Sequence, residues 1–110
     1  MYYDKTLSLI NEIKREQVLL CINIVSKYKF VKRLIVFGSS LTDECTDESD
    51  LDICLDMKSD ISGLELYDLY VELRQVCNHC CDILKYHKLK GKIKDEIQNK
   101  GVVVYVIKNS

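Results

Sequence analysis

Hydrophobic residues recur along this chain with two different periods, which separate the expected helices from the expected strands. Over residues 4–27, isoleucine and leucine recur at helical spacing with charged residues between them. This pattern predicts one long helix that covers a face of a sheet. The residues that carry it are Ile10, Ile13, Leu20 and Ile24.

Two apolar runs in the middle of the chain predict the first strands. Residues 32–37 are almost continuously apolar and rich in strand formers, which is typical of a strand buried on both faces. Residues 51–56 alternate leucine or isoleucine with aspartate or cysteine, so one face should be packed and the other polar. The later elements follow as a helix capped by Ser62, a strand over 82–86, a helix over 90–99 ended by Gly101, and a strand over 102–107.

The length and composition indicate a single domain over residues 1–110. There is no proline-rich, repeated or low-complexity segment that would mark a linker. With 47% hydrophobic residues, 30% charged residues and a net charge of −1, the chain is typical of an ordinary globular domain. We therefore expect no direct binding of nucleic acid, because a polybasic surface is not indicated.

The cellular location is expected to be cytoplasmic. The chain has no long apolar run, and its first residues lack a basic start followed by a hydrophobic stretch. Neither a membrane span nor a signal peptide is therefore predicted.

Six cysteines raise the question of disulfides or zinc. They lie within apolar helix or strand patterns, so we expect reduced thiols in the core. The segment from Cys77 to Cys81 includes a Cys-x-x-Cys pair with His79 inside it, which is a zinc-binding spacing. A structural zinc site needs a second ligand pair, however, so we favour a helix end that packs Cys77 and Cys80 and leaves His79 in solvent.

The strongest candidate chemistry lies between the first two expected strands. The first ends in Gly38 and Ser39, and a polar loop leads to Asp50 and Asp52 at the start of the second. Side chains two apart on a strand share a face, so the two carboxylates should project together and repel each other unless a cation lies between them. Magnesium takes oxygen ligands and usually arrives with substrate phosphates, which a glycine would admit close to the backbone.

Each of these residues also has a purely structural explanation. An Asp-x-Asp pair alone is more often a solvated edge or a turn, and Gly38 could serve only the strand-to-loop geometry. Ser49 is equally well explained as a turn residue. It is the combination of glycine, serine, spacing and two aspartates that favours a site.

That combination resembles the signature of the minimal nucleotidyltransferases of the polymerase-beta superfamily, and is similar to their MntA-type antitoxins. The resemblance implies an α+β fold, with a mixed sheet of about four strands packed against helices. It also implies a third carboxylate on a later strand, where Asp82 is found, although Asp82 alone would be interpreted as a strand-start residue that hydrogen-bonds a turn. Residues 97–105 resemble the closing helix, glycine and strand of the family.

The resemblance further implies a reaction and a partner. Asp50, Asp52 and Asp82 would be the catalytic and metal-binding residues, holding two Mg²⁺ ions, with Mn²⁺ as an alternative. Gly38, Ser39 and Ser49 would bind the nucleotide. A nucleoside monophosphate, AMP from ATP, would pass to a tyrosine hydroxyl of a HEPN-type helical toxin, with this chain acting as the antitoxin. Aminoglycoside modification is a second option within the family, but those enzymes carry an extra helical domain for which this chain has no room.

The loop between the glycine and the aspartates departs from the family pattern. Where many members have arginine and glycine, this chain has Thr42 and Asp43, and three more acids follow, namely Glu44, Asp47 and Glu48. Such a loop weakens triphosphate binding unless Lys85, Lys88, Lys90 or a partner supplies positive charge. The alternative is therefore a catalytically weak or inactive domain of the same fold that binds and neutralises a partner protein.

Overall fold

A mixed four-stranded sheet in the order β3-β2-β1-β4 organises the chain. The computed structural model describes residues 4–108. The elements in chain order are α1 Asp4–Leu7, α2 Glu12–Val25, β1 Val31–Phe37, β2 Leu51–Met57, α3 Gly63–Val76, β3 Cys81–Lys85, α4 Gly91–Lys100 and β4 Val102–Val106, with short 3-10 turns at Gly38–Leu41 and Tyr86–Lys88. β1 pairs antiparallel with β2 and β4, whereas β2 and β3 run parallel. This is the α+β architecture that the resemblance implies.

Strand β1 lies at the centre and is buried on both faces, as its apolar run predicts. Leu34 and Val36 belong to the main core, which includes the inner faces of α2 and α3. Ile35 and Phe37 point the other way, into a smaller cluster with Ile97 of α4. The sheet is therefore covered by helices on both sides.

Strand β2 also follows its predicted alternation. Leu51, Ile53 and Leu55 are fully buried in the main core. The intervening residues, Asp52, Cys54 and Asp56, face the side of α4, where Cys54 joins the smaller cluster. One face of this strand thus builds the core while the other carries carboxylates.

The prediction of one unbroken N-terminal helix over residues 4–27 is wrong. The chain forms α1, turns, and restarts as α2 with Asn11 as the N-cap. The Asn11 side-chain oxygen accepts from the backbone N–H of Ile13 at 3.0 Å. Its backbone N–H donates to the Ser40 carbonyl at 2.7 Å and its side-chain amide to the Thr42 carbonyl at 2.9 Å. Asparagine competes with helical hydrogen bonding in this way, and here it joins the helix start to the turn after β1.

The apolar stripe predicted for this region is only half correct. Ile10 and Ile24 are buried, but Ile13 and Leu20 are 42% and 41% exposed. The face of α2 that enters the core instead carries Lys14, Val18, Cys21, Ile22 and Val25.

β3, α4 and β4 agree with their predicted bounds to within one residue at either end. Ser62 caps α3, because its hydroxyl accepts from the Glu65 N–H at 3.1 Å. Gly101 follows α4. A glycine is needed there for steric rather than conformational reasons, since its φ of −62° suits any residue. A Cβ there would lie 2.5 Å from the Ile97 carbonyl oxygen and 2.7 Å from Cγ2 of Ile35. Within the part of the chain that the structure describes, no helix is long and apolar enough to cross a membrane.

Candidate active site

At the end of β1, the backbone of Gly38 lies against the carboxylate of Asp52. Gly38 has a φ of +77°, in the region that favours glycine, and starts the turn after β1. A Cβ at this position would lie 2.3 Å from Oδ2 of Asp52 and 3.2 Å from its Cγ. Any other residue would therefore displace the Asp52 carboxylate, so the glycine keeps a small space open beside it.

The parallel pairing of β2 with β3 places the third predicted acid. Asp52 and Asp82 are direct partners in the register. Paired residues on neighbouring strands point to the same face of a sheet, so both carboxylates project on the side of α4. Asp82 is exposed and Asp52 is half-buried. The fold thus brings together two aspartates that are thirty positions apart in the sequence.

The electrostatic environment of Asp52 is unfavourable for its charge. Burial raises the pKa of its carboxyl, and the charges of Asp82, Asp50 and Glu96 raise it further. A carboxyl whose pKa is raised by burial and by neighbouring charges marks a candidate functional site.

Asp50 joins this group from the entrance of β2, the position predicted for it. It is exposed in the loop immediately before the strand. Glu96 on α4 is an acid that the sequence analysis missed. It directly precedes the buried Ile97, and its proximity to Asp52 depends on how α4 packs across the sheet, which sequence periodicity alone does not determine.

The two predicted serines differ in their local roles. The Ser49 hydroxyl accepts from the Thr46 N–H at 3.0 Å and lies 3.3 Å from the Thr46 hydroxyl, so it closes a turn within the acidic loop. Ser39 is half-buried in the turn that Gly38 starts, and its carbonyl accepts from the Thr42 N–H and hydroxyl, both at 2.9 Å. Ser39 therefore lies next to Gly38, at the end of β1 near Asp52. The Ser49 hydroxyl, in contrast, is hydrogen-bonded within the acidic loop.

A buried lysine that the sequence analysis missed supports the acidic loop. Lys14 is only 3% exposed, and its ammonium donates to the Asp47 carbonyl at 3.4 Å. Its spacing of four and seven residues from Val18 and Cys21 is the signal that places it on the inward face of α2. One of the lysines proposed from the sequence, Lys85, is located less favourably. Lys85 aligns with Leu55, three positions beyond the Asp52–Asp82 pair, and faces the opposite side of β3 from Asp82.

The cysteines are free thiols, as predicted, but Cys80 does not pack against the protein as expected. Cys77 is buried with its sulfur 3.8 Å from that of Cys21 on α2, and this hydrogen bond together with burial raises the pKa of Cys77 to about 12. Cys80 is exposed rather than packed. Asn78 and His79 both adopt positive φ, at 52° and 62°, and the reversed chain turns Cys80 outward. Cys77 and Cys80 thus lie in different environments, one in the core and one in solvent.

The three predicted acids suit a metal ion that is only partly held by protein. Across residues 4–108, no three His, Cys, Asp or Glu side chains are gathered closely enough to form a complete metal cage. Magnesium usually takes one or two protein carboxylates and completes its shell with water and substrate phosphates. Asp52 beside Gly38 and Asp82 in register with it fit the one or two carboxylates of such a site.

This fold is that of a nucleotidyltransferase. Residues 19–110 match the family described as polymerase beta, nucleotidyltransferase. The chain belongs to this family, which confirms the resemblance drawn from Gly38, Ser39 and the aspartates.

Two relatives come from Methanocaldococcus jannaschii. "Putative protein adenylyltransferase MJ0435" is 38% identical over 95 residues, which cover 86% of this chain and 97% of the relative. "Putative protein adenylyltransferase MJ0126" is 43% identical over 65 residues, covering 59% of this chain and 62% of the relative.

Solved structures share the fold at low sequence identity. A toxin–antitoxin crystal structure with AMP-PNP superposes with a TM-score of 0.62 at 12% identity, over 83% of this chain and 72% of the other. A tri-AMPylated HEPN toxin from Shewanella oneidensis in complex with an MNT antitoxin gives 0.56 at 15% identity, over 82% and 72% of the two chains.

Proposed function

We propose that this nucleotidyltransferase transfers AMP from ATP to a tyrosine hydroxyl of a HEPN-type toxin and thereby acts as its antitoxin. The observation that carries the proposal is the Asp52 carboxylate held against Gly38 and in register with Asp82. The names of the M. jannaschii relatives support protein adenylylation, and the toxin–antitoxin structures of the same fold support the partner.

The carboxylates have distinct roles in this reaction. Asp50, Asp52 and Asp82 would hold Mg²⁺ or Mn²⁺, which supplies charge neutralisation for the triphosphate and for the leaving pyrophosphate. Asp52 is half-buried beside Gly38, whereas Asp50 and Asp82 are exposed, so it is the most enclosed member of the set. Asp82 is exposed, where its carboxylate can reach an incoming hydroxyl.

The bond changes follow from this arrangement. The acceptor oxygen attacks the α-phosphorus of ATP and forms a new P–O bond, while the bond from that phosphorus to the pyrophosphate oxygen breaks. The proton of the acceptor hydroxyl passes to the Asp82 carboxylate, which acts as general base. Gly38 offers backbone without a side chain beside Asp52, and Ser39 follows it in the same turn, where its hydroxyl can hydrogen-bond a phosphate oxygen.

A second candidate function is a non-catalytic domain that neutralises its partner by binding alone. The acidic loop favours it, because Asp43, Glu44, Asp47 and Glu48 are all exposed. No ion pair among the described residues involves them, since the three present are Lys27–Glu72, Lys32–Asp56 and Arg33–Asp56. Negative charge of this kind opposes the approach of a triphosphate.

Transfer of label from ATP separates the two functions. ATP labelled at the α-phosphate, with Mg²⁺ and a purified HEPN-type protein as acceptor, should give covalent label on that protein. In Asp82→Asn the label should fall by about 100-fold or more, the usual contribution of a general base. Asp68→Asn is the matched control, because Asp68 is exposed on α3 across the sheet from the acids. If the wild-type protein labels nothing but still binds the partner tightly, the binding function is correct instead.

A further inference from the structure

The outer face of α2 carries apolar side chains that the core does not use. Ile13 and Leu20 are 42% and 41% exposed, and Gln17 lies between them on the same stripe at helical spacing. The buried face of the helix is already filled by Val18 and its neighbours. Ile13 and Leu20 therefore keep a large part of their apolar surface uncovered by the core.

These side chains form one wall of a groove. Its volume is about 400 Å³, and its other wall is formed by Val76 at the end of α3, Asn78 and Asp47. Isolated exposed apolar residues are ordinary on protein surfaces, but a concave surface with apolar residues on both walls is a typical recognition site. From Ile13 to Leu20 the helix rises about 10 Å, which matches two turns of a helix laid along the groove.

The groove lies next to the acids of the proposed active site. Asp47 precedes Asp50 by three residues, a span of at most about 11 Å. On the other wall, Asn78 leads to β3 and Asp82, and the Leu51 N–H donates to the Cys80 carbonyl at 3.0 Å, which ties the two segments together. A protein held in this groove would therefore be close to the reacting atoms.

The charge around the groove selects the kind of partner. Glu16 and Asp47 line it, and the exposed acids of the loop extend the negative surface beyond Asp47. The lysine on its floor, Lys14, is buried and already donates to the Asp47 carbonyl. A segment that presents apolar side chains flanked by lysine or arginine would match both features.

We propose that this groove is where the acceptor protein docks, through an amphipathic helix with apolar anchors and basic flanks. The inference rests on the proposed function, since it assumes that the acceptor is a helical protein. A second copy of this chain fits less well. In a symmetric contact, the acidic loop of one molecule would lie near the acidic loop of the other, and the like charges would repel across the interface.

Matched substitutions at two exposed leucines test the groove. Leu20→Asp places a charge in the groove, whereas Leu64→Asp makes the same change at a residue of α3 that is 72% exposed and outside it. With the purified HEPN-type protein as probe, calorimetry should show binding weakened about ten-fold or more by Leu20→Asp, the effect of losing an apolar anchor. Leu64→Asp should bind like wild type. Equal affinity of wild type and Leu20→Asp would overturn the proposal.

Charge reversal provides a second test that leaves the helix packing intact. Glu16→Lys/Asp47→Lys changes exposed side chains only, because the Lys14 contact uses the backbone carbonyl of Asp47. Wild-type binding should weaken as salt rises, and the reversed variant should bind weakly at low salt and lose that dependence. If wild-type affinity does not change with salt, the basic partner is wrong.

Kinetics separate this inference from the proposed function. Leu20→Asp should raise KM for the protein acceptor by about ten-fold while kcat at saturating acceptor is retained, as expected for lost binding energy. If Leu20→Asp labels the acceptor with an unchanged KM, the acceptor does not dock in the groove, and the proposed transfer reaction still holds. Groove-dependent binding without any labelling would refute the transfer reaction and keep the groove. A wild-type dimer that Leu20→Asp converts to monomer, with partner binding unchanged, would show that a second copy occupies the groove and overturn the proposal.

Discussion

Asp52 is held where its own charge is unfavourable. Its carboxyl is half-buried against Gly38, it has an acid in register on the next strand, and no ion pair within residues 4–108 neutralises it. Such a residue costs the metal-free protein stability, and a cation bound beside it would reverse that cost.

The substitution Asp52→Asn tests this account through stability. Because the pKa of Asp52 is raised in the folded state, its proton is bound more tightly there than in the unfolded chain. Its favourable contribution is present at low pH and is lost as pH rises through the raised pKa. At neutral pH, Asp52→Asn should therefore raise the Tm of the metal-free protein by about 2–4 °C, a small effect because the group is partly exposed.

Mg²⁺ should reverse the order of the Tm values of wild type and Asp52→Asn. It should raise the Tm of wild type more than that of Asp52→Asn, because a ligand that binds only the folded state stabilises it by mass action. Asp68→Asn should respond to Mg²⁺ like wild type. Thermal scans with and without Mg²⁺ provide the check, and equal shifts in wild type and Asp52→Asn would show that Asp52 holds no ion.

Among single residues, the sequence predicts those whose roles depend on their neighbours in the chain. Gly38 and Asp52 are recognisable because a strand end and a side-chain alternation can be derived from neighbouring residues. Glu96 and Lys14 were missed because each acts on a segment distant in sequence, Asp52 and the loop around Asp47 respectively. Their contacts exist only after the helices pack.

The helices and strands begin and end where local signals are strong. Ser62 gives the start of α3 correctly, and the apolar runs give β1 and β2 to within one residue. The break before α2 was not predicted, because Asn11 is held there partly by the Thr42 carbonyl, 31 residues away. Helical periodicity continues through such a break, so the pattern alone predicts one helix.

The junction between α4 and β4 offers a test at the level of elements. Gly101→Ala should destabilise the protein by about 1–3 kcal/mol, because its Cβ would lie 2.7 Å from Ile35 Cγ2 and 2.5 Å from a backbone carbonyl. Gly63→Ala is the matched control, since nothing lies within 4 Å of a Cβ there and the residue is the first of α3. The control should be neutral or stabilising by up to about 1 kcal/mol. Denaturant unfolding measures both, and equal stabilities would show that α4 can shift away from the sheet.

The whole molecule combines a conventional core with an uneven distribution of charge. Seven acids lie within residues 43–56 and five lysines within residues 85–94, so the net charge of −1 conceals opposite local charges. Composition alone indicated an ordinary globular domain, since totals carry no information about position. The mixed sheet, in contrast, was predicted because the resemblance covers nearly the whole chain.

The thiols can be tested on the intact protein. We expect six free cysteines and no stoichiometric zinc, with Cys80 reacting rapidly with a thiol reagent. Cys21, Cys54 and Cys77 are fully buried and should react only on unfolding, and the pKa of Cys77, about 12, keeps it protonated at neutral pH. Metal analysis of protein purified without added zinc is the second measurement. Stoichiometric zinc, lost together with stability in Cys77→Ser/Cys80→Ser, would contradict this expectation.

The position of β3 at the edge of the sheet would link the proposed reaction to local unfolding. The strand is paired with β2 alone, and Asp82 is its second residue. An edge strand can open at a free energy well below that of global unfolding, while the rest of the domain stays intact. Each opening would carry Asp82 away from Asp52 and interrupt the site. The active fraction would then be set by a local equilibrium, and a partner that covered this edge would raise activity without contacting any reacting atom.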